Sequence, residues 1–238
     1  EDYARALEAF RKAEAATTDA GRRVEARVSA GEALFFSGKY PETIETLKDL
    51  SGTATPEEPR ARVLYYLGRS FIETGAYAEA VSSFSSLIAD VPETPLAGFA
   101  QYHLGFAHLA GNALEEAAKA FSAAAKAPGG EDALRMESCF RAAELYDKLG
   151  WTETALTAYE QLRKDYPESE YARRADYGYG WALYHSGRYE DADALAAAFV
   201  KNYPDSAHLP GFLYLRGNCR YQQARYAKAL EHYDALRS

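Results

Sequence analysis

The chain has little of what a metal centre, a disulfide scaffold or a nucleic-acid interface requires. Its 238 residues include two cysteines, one methionine, two tryptophans, five histidines and three isoleucines. No two of His103, His108, His185, His208 and His232 stand at i and i+4, the spacing a helical zinc pair needs. Lysine and arginine are outnumbered by acids, for a net charge of −8 and a pI near 5.3. That balance argues against nucleic acid or anionic lipid as partner, because both need clustered cations. The one dense basic pair, Arg173-Arg174, lies between Glu170 and Asp176 and reads as a solvated helix face. No apolar run approaches the roughly 18 residues of a membrane span, and because the sequence opens inside the repeat pattern without an initiator methionine it is expected to be a mature or trimmed piece. Isoleucine is scarce and alanine abundant, which favours helices over strands.

What the chain does have is a repeat. Tyr166-Pro-Glu-Ser recurs as Tyr203-Pro-Asp-Ser, 37 residues on. With Tyr189 as marker, equivalents fall at Tyr3, Tyr40, Tyr77, Leu114, Thr152 and Tyr226, at steps of 37 with a single 38. Three residues after each marker stands a small side chain: Ala6, Thr43, Ala80, Ala117, Ala155, Ala192 and Ala229. Four further on stands a large one: Phe10, Leu47, Phe84, Phe121, Tyr159 and Tyr233, with Ala196 the exception. Offsets of three and four define one face of an α-helix, here helix B of each unit. Nine residues before the marker lies a second small column, Gly31, Gly68, Gly105, Ala143, Gly180 and Gly217, on a preceding helix A. Glycine inside a helix costs roughly 1 kcal/mol against alanine, so close approach to the alanines of helix B is the expected reason. Gly38, Gly75, Gly150 and Gly187 mark left-handed stops between the helices, with Gly111 one place early and Ala224 the exception.

Thr94, Ser169 and Ser206 are the expected caps of helix A, Thr55-Pro56-Glu57-Glu58 an expected capping box, and Pro92, Pro167 and Pro204 the stops of helix B. The predicted fold is all-α: a solenoid of antiparallel helix pairs with about thirteen helices. Its predicted parts are a lone helix B over 1–17, full units at 18–54, 55–91, 92–129, 130–166 and 167–203, and a last unit at 204–238. Neither end shows a polar capping unit, so the chain is expected to be a piece of a longer protein. Cys139 and Cys219 lie two units apart, beyond disulfide reach, and read as small core residues that leave the redox compartment open.

Leu64, Leu67, Gly68, Phe71, Ala80, Phe84 and Pro92 resemble the tetratricopeptide repeat pattern, and the resemblance extends over nearly the whole chain. Thr43, Leu47, Gly129, Ala196 and Ala224 depart from it and mark places of expected looseness. The three residues beyond the family's common period fall before helix A and are expected to lengthen it by about a turn. Long units with a Tyr-Pro-x-Ser connector resemble those of bacterial envelope proteins, such as the Tol-Pal cell-division coordinator and the lipoprotein of the outer-membrane assembly machine. The resemblance implies a right-handed superhelix whose helices A line a concave groove, and a periplasmic or envelope setting, with the cytoplasm as alternative.

On helix A, one stripe runs through Tyr65, Tyr102, Phe140, Tyr177 and Tyr214, then Phe106 and Trp181, then Tyr184 and Tyr221, with Phe99 on the fourth unit. Large side chains with polar tips suit peptide recognition, and packing between neighbouring helices A is the alternative for the first five. Co-chaperone members that clamp a C-terminal carboxylate use Lys and Asn where this chain has aromatics and Glu32, Glu144 and Trp181, so that activity is not expected. No catalytic, metal or cofactor constellation appears: Gly178-Tyr179-Gly180 lies inside a helix, and Glu115-Glu116 and Asp191 and Asp193 read as exposed helix-start acids. The expected function is non-enzymatic binding of a protein or peptide segment in an envelope assembly. Two alternatives remain: a scaffold or homo-oligomer joined through open solenoid ends, and the non-catalytic helical part of a larger envelope enzyme.

Overall fold

The computed structural model describes residues 2–52, 55–128 and 131–236. The described residues form thirteen α-helices and no strand. In order they are α1 (Asp2–Ala16), α2 (Ala20–Phe36), α3 (Tyr40–Leu47), α4 (Glu57–Glu73), α5 (Tyr77–Asp90), α6 (Ala97–Ala110) and α7 (Leu114–Lys126). Then come α8 (Asp132–Lys148), α9 (Thr152–Asp165), α10 (Glu170–His185), α11 (Tyr189–Asn202), α12 (Leu209–Gln222) and α13 (Tyr226–Asp234). Six helices B, from α3 to α13, begin on the marker residue itself. Among the described residues no helix is long and apolar enough to cross a membrane.

The structure comprises two compact units, Glu1–Arg135 and Met136–Ser238. In the first, each helix packs on its chain neighbours from α1 to α7, and the helices A also meet, α2 on α4 and α4 on α6. In the second, α9 to α13 stack in the same way, with α10 on α12. Each unit is therefore a stack of antiparallel helix pairs, in which a helix covers its apolar stripe with the next one.

The glycines of helix A have a different purpose from the one their spacing suggests. They face the large column of helix B, not its alanines. A Cβ at Gly68 would lie 2.7 Å from the Phe84 ring, one at Gly105 would lie 2.8 Å from Phe121, and one at Gly31 would press on Leu47. Phe84, Phe121 and Leu47 are fully buried, so each glycine is a socket for a large side chain sixteen residues on. In the exceptional pair Ala196 is too short to reach Gly180. Leu215, from the next helix A, fills that socket instead, at 2.7 Å from where a Cβ would be. Tyr159, opposite Ala143, places its hydroxyl against Gly178 of the following helix. The looseness expected at Thr43, Leu47 and Ala196 is absent, for all three are fully buried. Gly129 lies outside the described residues.

Six helix A to helix B turns close alike, each with an N–H bonded to the carbonyl five residues back: Lys39 to Leu34, Ala76 to Phe71, Ala113 to His108, Trp151 to Tyr146, Arg188 to Leu183 and Arg225 to Arg220. The residue before that donor is left-handed, with φ from +73° to +79° at Gly38, Gly75, Gly150 and Gly187. Asn112, not Gly111, takes the position in the third pair at +59°, and Ala224 takes it in the last at +58°. A Cβ in this region costs about 1–2 kcal/mol. Ala224→Gly should therefore stabilise the protein by about 1 kcal/mol, seen as a higher urea midpoint. An unchanged or lower midpoint would contradict the strain at Ala224.

The caps are only partly those expected. Ser169 accepts from the Ala172 N–H and caps α10. Thr94 and Ser206 do not cap: a further turn, Ala97 N–H to Thr94 O and Leu209 N–H to Ser206 O, delays α6 and α12 to start at Ala97 and Leu209. Pro95 is accordingly outside the helix, and the added residues lengthen α2, α4, α8 and α10 to 16 or 17 residues but leave α6 and α12 at 14. The Thr55 capping box does not form, since α4 starts behind Pro56 without a side-chain cap. Asp19 caps α2, accepting from the Arg22 N–H at 2.8 Å. Helices α5, α9 and α11 end as expected, one residue short of Pro92, Pro167 and Pro204.

Candidate partner-binding site

In the first unit the predicted stripe is mostly packing. Tyr65 is 7% exposed, with its ring against Tyr66, Phe84 and His103. Burial raises its hydroxyl pKa, against the pull of Arg69. Burial also holds the His103 imidazole down at about 4, with Arg69 adding to the effect, so this ring is neutral at pH 7. Phe99 is half-buried against the core around Leu64 and Leu104. Tyr102 and Phe106 stack edge to face at 4.9 Å and both press on Phe121, again half-buried. The Arg69 guanidinium lies 4.8 Å from the centre of the Phe35 ring and 5.9 Å from that of Tyr65.

In the second unit the stripe divides. Phe140, on α8, is 5% exposed and covered by the Arg174 guanidinium at 4.5 Å. On α10 and α12 three of the residues are open, Tyr177 at 37% exposed, Tyr214 at 48% and Tyr221 at 57%, while Trp181 and Tyr184 are half-buried. Trp181 lies at the centre of this group. Its ring meets Tyr177 at 6.3 Å, Tyr184 at 5.4 Å and Tyr214, across on α12, at 6.0 Å. Two polar links from one helix A to the next, invisible as motifs, steady the group. His185 Nδ1 lies 3.3 Å from an Asp147 carboxylate oxygen, and the Gln222 side chain donates to the Tyr184 hydroxyl at 3.0 Å. Each joins residues 38 apart, one position beyond the 37-residue repeat, so the period alone does not point to them. From α13 the Tyr233 hydroxyl donates to Asn218 of α12 at 2.8 Å, fixing that amide. Burial raises the Glu144 carboxyl pKa, while Arg174 and Arg141 oppose the shift.

One expectation about acids fails. Glu115 and Glu116 are exposed, but Asp193 is 6% exposed. It accepts from Arg216 Nε at 3.1 Å and from Arg220 Nη2, both on α12. The reason is its phase: four residues after the marker, helix B turns toward the next helix A, and there Leu156 is 3% exposed and Ala118 fully buried. Nearby, burial pushes the Cys219 thiol up to about 12. Among the described residues no group of His, Cys, Asp and Glu could hold a metal ion.

Residues 30–95 and 65–131 match the tetratricopeptide repeat family, and residues 133–235 match the family described as outer membrane lipoprotein, YfiO. Over 87 residues, 37% of this chain, the sequence is 29% identical to outer membrane protein assembly factor BamD of Xylella fastidiosa strain 9a5c, and the strain Temecula1 protein matches to the same extent. The chain spans about 30% of the length of these relatives. Among solved structures, a tetratricopeptide repeat protein from Parabacteroides merdae ATCC 43184 is similar with a TM-score of 0.54, at 15% identity over 99% of this chain and 86% of that one. YrrB, described as a TPR protein with an unusual peptide-binding site, is similar with a TM-score of 0.59, at 18% identity over 83% of this chain and 90% of its own. The apo form of RapI gives a TM-score of 0.63 at 11% identity, over 100% and 76% of the two chains. At such identities the likeness is one of fold.

Proposed function

We infer, for a chain that carries tetratricopeptide repeats and, over residues 133–235, a segment of the outer membrane lipoprotein type, that it works by holding a segment of another protein. The binding surface is the aromatic group on α10 and α12, and the setting is a bacterial envelope assembly. The observation that supports this reading is the contrast between two helices A of the same unit. Phe140 is sealed by Arg174, while Tyr177, Trp181, Tyr184 and Tyr214 adjoin one another with two of the four more than a third exposed. Exposed aromatics in a contiguous group, fixed by polar links, are the usual make-up of a protein hot spot. The envelope setting takes its support from the similarity of residues 133–235 to outer membrane lipoproteins and to BamD. No part of the reading involves catalysis.

A photo-crosslinking residue at Tyr214 should trap a protein partner in cells, and Trp181→Ala should abolish that adduct. The same residue at Lys201, exposed on α11, is the control. Adducts at Lys201 with none at Tyr214 would overturn the site. Leu230, 61% exposed at the phase where Leu156 is 3% exposed, supports a second reading in which α13 joins a further helix as part of a scaffold.

A further inference from the structure

Rings of helix A are covered by the chain's own arginines, Tyr179 by Arg163 from the preceding helix B and two others by arginines of the following helix A that share one register. Arg69 lies over Phe35 and Arg174 over Phe140, each 34 residues after its ring, so that the arginine comes from the following helix A. The same register carried from α10 to α12 pairs Tyr177 with Gly211 and Tyr184 with Asn218. Gly211 and Asn218 occupy the repeat positions of Arg174 and Arg69 respectively. Neither can supply a cation. Gly211 instead lies so close to the Tyr177 ring that a Cβ would come within 2.7 Å of it. Among the described residues no guanidinium or ammonium of the chain lies over Tyr177, Trp181, Tyr184 or Tyr214. The carboxylate of Asp147 reaches the edge of this group through His185, whose ring is 5.9 Å from that of Trp181.

We propose that the rings of Trp181, Tyr184 and Tyr214 take an arginine side chain from the bound partner, filling at Tyr184 the place that Arg69 fills over Phe35 within the chain. This rests on the reading of the aromatic group as the partner-binding surface and adds the chemistry of its occupant. A guanidinium suits the place better than an aliphatic side chain: it stacks on aromatic faces, is weakly hydrated and is attracted by the ring quadrupole. Asp147 adds negative charge at the edge of the group. The partner segment is therefore extended or helical, with an arginine set among apolar residues.

The test uses the full chain carrying Trp151→Phe, which leaves Trp181 as the single tryptophan and so as a fluorescent reporter within the site. The probes are the peptide acetyl-Gly-Leu-Arg-Leu-Gly-amide and the same peptide with citrulline, a neutral analogue of equal shape. The arginine peptide should bind about tenfold more tightly than the citrulline one. Asn218→Arg should restore the internal cation over Tyr184 and weaken binding of the arginine peptide about tenfold relative to Asn218→Ala, which loses the Tyr233 hydrogen bond equally. Equal binding of the two peptides, or equal binding by the two Asn218 variants, would overturn the arginine proposal and leave the groove reading standing. If neither peptide changes Trp181 fluorescence at millimolar concentration, both the proposal and the groove reading fall.

Discussion

Asp193→Ala should lower the folding stability by about 3–5 kcal/mol, far more than removal of an exposed acid. The wild-type carboxylate is 6% exposed and holds Arg216 and Arg220, whose side chains are themselves 20% and 18% exposed. Alanine leaves two guanidiniums in a closed interface without a counter-charge. Removing all three charges has the opposite outcome. At the preceding junction the same positions are Leu156 on helix B, and Tyr179 and Leu183 on the next helix A. The triple variant Asp193→Leu, Arg216→Phe, Arg220→Leu gives the apolar character of that junction, with Phe because Glu160, which accepts from the Tyr179 hydroxyl, is Ala197 one repeat on. It should be as stable as the parent or more so, since burial of an ion pair seldom outweighs its desolvation. Urea unfolding followed by circular dichroism measures both. A single variant within about 1 kcal/mol of the parent would show that the pair is already solvated.

The second large effect concerns the ring sockets. Phe84→Ala should cost about 3–5 kcal/mol, as it empties a fully buried site whose wall at Gly68 has no side chain to relax into the space. Gly68→Leu alone should cost about 1–3 kcal/mol by overpacking against that ring. Combined, the two should be less damaging than Phe84→Ala by itself, because the leucine occupies volume the ring vacates. Strict additivity of the two costs in urea unfolding would mean that residues 68 and 84 do not share one space.

Much of the fold was legible because the repeat reports each position several times. The helix starts at Tyr40, Tyr77 and Tyr189 and the left-handed stops at Gly38 and Gly75 follow from phase alone. The purpose of Gly68 did not, since spacing shows that a Cβ is excluded but not which neighbour excludes it; Phe84 and Ala80 were both in reach of the argument. Thr94 and Ser206 misled because a hydroxyl after Pro-x satisfies a turn as readily as a helix start. Asp193 was misread as a helix-start acid, although a single charge in a column of Ile44, Val81, Ala118 and Leu156 was visible, and Arg216 and Arg220 share one helix face. In the stripe, residue type alone could not separate Phe140 from Tyr177. What separates them is whether the next helix brings an arginine or a glycine 34 residues on.

Leu215 in the socket of Gly180 also bears on how such a chain can change in evolution. Where Gly68 receives Phe84, the key and the lock belong to one 37-residue unit, and that unit can be copied or lost as a whole. At Gly180 the key is supplied by the next unit, so loss of the last hairpin would leave a hole in the one before it.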